Sequence, residues 1–219
     1  MIFVNFKTYE QGSGRRAVDL SKILQEVAVD SNVKIVPVVQ VIDAETIIDS
    51  TILDVWIQHV DPISYGAHTG WVLPEEATRV GVKGVFLNHS EHKFEDFSAL
   101  IKANARCHEV GLKTLIFAED LDELQKLLPL KPNFISYEPP ELVGSEEESV
   151  ATAKPEVIKD AFNFANQVNI PLIVGAGIKS VADVEKSLEY GALGIAVSSA
   201  IVKSNEPKEK LLELVEGFE

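Results

Sequence analysis

Glu138 and His89 are side chains of the types that move protons in enzymes. Glu138 follows the apolar segment 133–137 and precedes Pro139 and Pro140, so its backbone is stiff. A carboxylate held in this way can be removed from water, and desolvation raises its basicity. Such a base suits the abstraction of a proton from a carbon next to a carbonyl group. Taken alone, Glu138 also fits a helix cap or a surface charge, and His89 a structural histidine.

Asn5 and Lys7 stand at the end of another short apolar segment, near the beginning of the chain. Because side chains alternate along a strand, positions 5 and 7 are expected to point to the same face. An amide and an ammonium group on one face are suited to binding one ligand together. A lysine at the end of a strand is otherwise usually a solvated charge.

Two turns of small residues are candidates for an anion site. Gly175, Ala176 and Gly177 follow one apolar segment, and Ser198 and Ser199 follow the next. Small residues allow backbone N–H groups to approach a phosphate closely, and the last two βα turns of a barrel commonly hold one. The residues also fit tight turns with no ligand, and a phosphate site does not by itself choose the reaction.

Short β-branched segments alternate with longer segments of helical periodicity, a pattern typical of parallel βα units. Strands are predicted at residues 2–6, 34–38, 55–59, 84–88, 113–118, 133–137, 171–175 and 194–198. Helices are predicted at residues 15–29, 94–110, 155–168 and 181–190, with a final helix from Pro207 to about Phe218. Gly111 and Gly191 occupy positions where a helix can end in left-handed backbone.

Eight such units form either an open, doubly wound sheet or a closed barrel. The repeat contains no additional strand, and polar residues stand at the strand ends, which favours closure. No linker or change of composition divides the chain. We therefore predict an α/β fold: a single (β/α)8 TIM barrel domain over residues 1–219, with a closed sheet of eight parallel strands.

The composition limits the possible partners and location. A formal net charge of −14 argues against a nucleic acid or an anionic membrane as partner. An anionic small molecule then needs a locally positive site. Cys107 is the single cysteine, so no internal disulfide forms. The N-terminus lacks the pattern of a signal peptide, and we predict a cytoplasmic protein.

The strand-end sequences, in their order along the chain, resemble those of triosephosphate isomerases, in particular the compact archaeal kind. The matching motifs are Asn5-Phe6-Lys7, Gly66-Ala67-His68-Thr69-Gly70, His89-Ser90-Glu91, Tyr137-Glu138-Pro139 and the two small-residue turns. The resemblance implies the interconversion of dihydroxyacetone phosphate and D-glyceraldehyde 3-phosphate by proton transfer through an enediolate. It also implies that no cofactor is needed.

The resemblance implies a role for each polar residue. Glu138 is then the base and His89 the electrophile that donates a hydrogen bond to the substrate carbonyl oxygen. Lys7 supplies positive charge beside the substrate, and Asn5 orients it. Glu91 supports these residues from behind, while Ser90 is expected to help start a short helical turn.

The implied lid over the substrate comprises residues 139–145, and the amide of Gly144 is expected to bind the phosphate together with the two turns. The sequence departs from the family after this point. Glu146, Glu147 and Glu148 stand where a second glycine is expected. Carboxylates near a phosphate dianion are unfavourable unless they point to solvent, so this departure bears on lid closure and substrate affinity.

Thr69 lies in a segment that, by the same resemblance, reaches into a neighbouring subunit. Trp71 beside it is expected to be exposed. These residues predict a homodimer or a homotetramer.

Other functions remain open from the residues alone. A pentose-phosphate epimerase would require an acid pair on opposite faces of the substrate, usually with a metal. A non-catalytic barrel would bind a phosphometabolite or serve as a scaffold without needing a base. His89 with His92, or His59 with Asp61, are spaced as metal ligands, but neither pair has a third ligand at a recognisable spacing, so no metal site is predicted.

Overall fold

The computed structural model describes residues 1–139, 149, 151 and 155–218. The strands are β1 (Ile2–Asn5), β2 (Ile35–Val39), β3 (Trp56–Ile57), β4 (Gly84–Leu87), β5 (Lys113–Ala118), β6 (Phe134–Tyr137), β7 (Leu172–Val174) and β8 (Gly194–Val197). The helices are α1 (Gly14–Ser31), α2 (Val41–Ser50), α3 (Pro74–Arg79), α4 (Phe97–Glu109), α5 (Leu121–Leu127), α6 (Pro155–Gln167), α7 (Val181–Glu189), α8 (Ser199–Val202) and α9 (Pro207–Glu216). Single turns of 3-10 helix lie at Glu10–Gly12 and Leu128–Leu130.

The strands form a closed barrel in which each strand pairs in parallel with the next one along the chain. β8 returns to β1, where Ile195 is opposite Ile2 and Val197 is opposite Val4. The closed sheet confirms the predicted barrel and rules out the open, doubly wound alternative. Because all strands run in one direction, their carboxyl ends share one rim, where the polar strand-end residues meet.

Aromatic side chains fill the interior of the barrel. The ring of Phe3 lies 5.0 Å from that of Trp56 and 5.7 Å from those of Phe86 and Phe134, measured between ring centroids. Gly84 makes room for the indole, since a Cβ atom at this position would lie 2.4 Å from Trp56 Cε2. This packing supports the rim from below.

The helices cover the outside of the barrel with their apolar faces. In α1 the buried residues Ala17, Leu20, Leu24 and Val27 recur at helical spacing and face the sheet. None of the helices among the described residues is long and apolar enough to cross a membrane.

Element boundaries differ from the sequence prediction in two informative places. β3 contains two residues instead of five, and directly after it the side-chain amide of Gln58 donates a hydrogen bond to Lys7 O. α4 begins at Phe97, where the Asp96 carboxylate accepts a hydrogen bond from Ala99 N at 2.8 Å. The sequence prediction started this helix at residue 94, so it placed the N-cap Asp96 inside the helix.

We expect Phe3→Ala to destabilise the protein by about 3–5 kcal/mol, because it leaves a cavity in the barrel interior. Phe97→Ala is the matched control, since Phe97 is 47% exposed. Denaturant unfolding of both variants measures the difference. Equal losses in the two variants would contradict the proposed contribution of the aromatic interior.

Candidate active site

A cavity of about 530 Å³ opens at the carboxyl-terminal rim of the barrel. Its wall includes the following residues singled out in the sequence: Asn5, Lys7, His89, Glu138, Ala176, Gly177, Ser198 and Ser199. Glu91 contacts one of them, Lys7, at 2.8 Å. Residues from five strand ends therefore converge on one space. Gly144 and the acidic run 146–148 lie outside the described residues.

Glu138 and His89 meet within this cavity, with Glu138 Oε2 3.2 Å from His89 Nε2. Both side chains are buried. The imidazole N–H is not aligned with this oxygen, so Oε2 accepts no hydrogen bond from the described residues. Burial raises the pKa of Glu138 from its ordinary value to about 7, against the opposing charge of Lys7 and a hydrogen bond from the Ala176 backbone. A carboxylate with this pKa is a stronger base than one in water.

The tautomer of His89 follows from its contacts. The backbone N–H of Glu91 donates a hydrogen bond to His89 Nδ1 at 3.1 Å. Nδ1 is therefore the acceptor, and in the neutral ring the proton is on Nε2, the nitrogen that faces Glu138. Burial lowers the pKa of His89 to about 4. The charge of Glu91 opposes this shift, and the charge of Lys7 adds to it. Near neutral pH the residue is thus an uncharged hydrogen-bond donor.

Lys7 has left-handed backbone, with φ of 47°, which is unusual for a residue with a side chain. Two polar side chains hold this conformation. Asn5 Oδ1 accepts a hydrogen bond from Lys7 N at 3.0 Å, and Gln58 Nε2 donates to Lys7 O at 2.9 Å. Asn5 and Lys7 do face one cavity as predicted, but the expected strand alternation is not the cause, because β1 ends at Asn5.

The segment after β4 forms a short turn where one was expected, but the side chain of Ser90 does not help to start it. His92 N donates to His89 O at 2.8 Å, which closes a four-residue turn. Ser90 Oγ is buried and has no hydrogen-bond partner among the described residues, so it caps no helix. The turn places the Glu91 carboxylate against Lys7 Nζ and its backbone N–H against His89.

Gly175 gives space to the carboxylate. A Cβ atom at Gly175 would lie 2.6 Å from Glu138 Oε1, so a side chain there would displace Glu138. Gly175 stands next to Glu138 and is absent from the cavity wall, which Ala176 and Gly177 do line. Both of these have left-handed backbone, with φ of 70° and 73°.

Ser198 and Ser199 line the cavity after β8. Ser198 precedes α8, and its Oγ atom is buried without a hydrogen-bond partner among the described residues. Thr69 lies apart from the cavity wall, in the exposed loop 64–71, and Trp71 in that loop is 54% exposed as expected.

The residue pairs considered as metal ligands have other contacts. His59 Nε2 lies 3.4 Å from Asp61 Oδ1, and the rings of His59 and His92 stack with centroids 4.1 Å apart. Within the ranges that the structure describes, no three potential ligands form a cluster. Cys107 is buried, and burial raises the pKa of its thiol to about 12, so it is not an activated nucleophile.

Comparisons with known proteins extend along nearly the whole chain. The family model described as "Triosephosphate isomerase" matches residues 1–217. The chain is 41% identical to the triosephosphate isomerase of Sulfurisphaera tokodaii, over 97% of this chain and 92% of that protein. It is 38% identical to the enzyme of that name from Metallosphaera sedula, over 99% and 95% of the two chains. The corresponding protein of Methanocaldococcus jannaschii is 32% identical, over 98% of both chains.

The chain belongs to the triosephosphate isomerase family. This membership confirms the resemblance predicted from the strand-end motifs, and the relatives above are archaeal. Neither these relatives nor the described residues favour a pentose-phosphate epimerase or a non-catalytic barrel. Members of the triosephosphate isomerase family are isomerases, which agrees with a site built around one base and one neutral hydrogen-bond donor.

Several residues that line or support this cavity were not predicted from the sequence. Gln58 fixes the backbone of Lys7, and its position directly after a predicted strand was the available signal. The ring of Phe117 packs edge-on against His89, with centroids 4.8 Å apart. Lys203 and Lys210 line the cavity from beyond β8, where no strand-end rule indicates them.

We expect Glu138→Gln to make the protein more stable above pH 7, by about 3 kcal/mol. The folded-state pKa of Glu138 is raised from 4.5 to about 7, so burying the ionised carboxylate costs stability. This cost is full above pH 7, falls between pH 7 and 4.5, and is absent below 4.5, where the side chain is neutral in both states. Thermal unfolding of both proteins at pH 8 and pH 4.5 tests this. A variant that is no more stable than the parent at pH 8 would contradict the buried, desolvated carboxylate.

Proposed function

We propose that this chain interconverts dihydroxyacetone phosphate and D-glyceraldehyde 3-phosphate through an enediolate, with Glu138 as the base. The observation that carries this proposal is the contact between the buried Glu138 carboxylate and His89 Nε2, 3.2 Å apart in one cavity. The isomerisation moves a proton between adjacent carbons and needs a base and a hydrogen-bond donor. The substrate and the product have the same atoms and the same oxidation level, so the reaction requires neither an oxidant nor a cofactor.

In this mechanism Glu138 removes a proton from the carbon next to the substrate carbonyl group. Negative charge then develops on the carbonyl oxygen, and His89 Nε2–H donates a hydrogen bond to it. Glu138 returns the proton to the neighbouring carbon, while the hydroxyl proton passes from the oxygen of the first carbon to the former carbonyl oxygen, so that the carbonyl group forms on the other carbon. A base with a pKa of about 7 is well matched to this task, because it accepts and releases the proton near neutral pH.

Lys7 and Asn5 complete the reacting end of the cavity. The Lys7 ammonium favours the developing negative charge, and Glu91 holds it in place at 2.8 Å. Asn5 orients the substrate and, through its hydrogen bond to Lys7 N, fixes the turn that carries the ammonium. Glu91 acts on both Lys7 and His89, so we assign it a positioning role.

The phosphate is proposed to lie between the turns after β7 and β8. Ala176, Gly177, Ser198 and Ser199 line the cavity on this side. Gly175 allows the approach of this turn to Glu138. Gly144 stays a predicted phosphate contact. The effect of the three glutamates that follow it on lid closure and substrate affinity also stays a prediction.

We expect purified, metal-stripped protein to isomerise both triose phosphates, and Glu138→Gln to lower kcat by about 10²-fold or more. A coupled assay in each direction measures this. Glu45→Gln, on the exposed face of α2, is the matched control and should leave kcat unchanged. Full activity of Glu138→Gln would remove Glu138 as the base, whereas phosphate binding without turnover in the parent would favour a non-catalytic barrel.

We also propose a homodimer or homotetramer in which loop 64–71, including Thr69, contacts another subunit. The loop exposes Trp71 and Tyr65, whose exposed fractions are 54% and 68%. We expect light scattering to give a mass at least twice the 24.0 kDa of one chain, and Thr69→Arg to lower it. Thr46→Arg, on the exposed side of α2, is the control. A mass of one chain for the parent protein would refute this assembly.

A further inference from the structure

The cavity carries cationic side chains that strand-end motifs do not reveal. Besides Lys7, its wall includes Lys179, Lys203 and Lys210, all from the segments that follow β7 and β8. These cations are on the side where the two small-residue turns also lie. In a chain with a net charge of −14, positive side chains at one wall of one cavity indicate a preference for an anion there.

Lys203 is held at the edge of this wall by defined contacts. Its backbone N–H donates to Ser199 O at 3.1 Å, which ties it to α8. Its Nζ atom lies 5.7 Å from the centroid of the Tyr9 ring. A cation over an aromatic face is attracted to it, so Tyr9 limits where the exposed ammonium can go. Lys7 and Lys203 both line the cavity.

Among the described residues, no carboxylate neutralises the charge of Lys203. Lys7 pairs with Glu91, and Lys210 Nζ pairs with Glu213 Oε2 at 2.6 Å. Lys203 makes no ion pair with any carboxylate in the part of the chain that the structure describes. A cation that lines the cavity without a carboxylate partner is available to an anionic ligand.

We propose that Lys203 binds the phosphate group of the substrate, an inference that rests on the function proposed above. The ammonium attracts the dianion to the side of β7 and β8, where backbone amides are also present. This leaves the carbonyl end of the substrate beside His89 and Glu138. Lys203 is thus a binding residue for the phosphate and takes no part in proton transfer.

The direct test measures the binding of inorganic phosphate to the whole protein by calorimetry at low ionic strength. We expect Lys203→Gln to weaken this binding roughly tenfold, as loss of a solvent-screened contact between an ammonium and a dianion would. Lys113→Gln is the control, because Lys113 begins β5 and is exposed at the opposite rim. It changes the net charge equally and should leave the affinity unchanged.

Steady-state kinetics give a second, independent readout. We expect Lys203→Gln to raise KM roughly tenfold while kcat changes little, since the contact exists in both the ground and the transition state. Lys203→Arg should retain most of the affinity, because it keeps the charge. The difference between the parent and Lys203→Gln should shrink in about 0.5 M salt, where screening acts within a few ångströms.

The outcomes separate this inference from the proposed function. Phosphate affinity that is unchanged in Lys203→Gln, or lowered equally in Lys113→Gln, would overturn the role of Lys203. A loss in Lys203→Arg as large as in Lys203→Gln would also overturn it, because charge would not be the cause. A parent protein that binds phosphate but does not isomerise trioses would instead remove the proposed reaction and leave the phosphate contact standing.

Discussion

The buried carboxylate of Glu138 is the constraint on which the site depends. Its raised pKa, about 7, means that the folded protein loses about 3 kcal/mol by keeping the ionised group away from water. Proteins of this kind are stable by only about 5–15 kcal/mol. The closed sheet and the aromatic interior around Phe3 and Trp56 must therefore supply stability that the rim gives up. The carboxylate is a stronger base than one in water because it is poorly solvated, and packing elsewhere in the barrel offsets the free energy that this costs.

The neighbours of Glu138 are arranged so that they do not neutralise it. His89 is uncharged, since burial and the hydrogen bond from Glu91 N keep the proton on Nε2 alone. Lys7 is charged, and it lowers the pKa of Glu138, but its partner Glu91 acts in the opposite direction. Within this ion pair, Glu91 therefore opposes the effect of Lys7 on the pKa of Glu138. Gly175 contributes by having no side chain to push the carboxylate away.

Sequence patterns predicted the barrel and the residues at its rim because both follow from local rules. Alternation of strands and helices gives the parallel sheet, and strand ends give the cavity wall, so Asn5, His89 and Glu138 could be found. Non-local contacts could not. The left-handed backbone of Lys7 is held by Gln58, which lies directly after β3 and far from Lys7 in the sequence. The short turn at Ser90 was expected, but the sequence could not show that Ser90 Oγ has no hydrogen-bond partner among the described residues.

An acidic protein that acts on an anion must place positive charge without weakening its own base. A cation close to Glu138 lowers the pKa of the carboxylate, as Lys7 does. Lys203 lines the same cavity and is exposed. Its exposed position beyond β8 separates attraction of the phosphate from the strength of the base. The two ends of the cavity can therefore differ in charge, with proton transfer at one end and anion binding at the other.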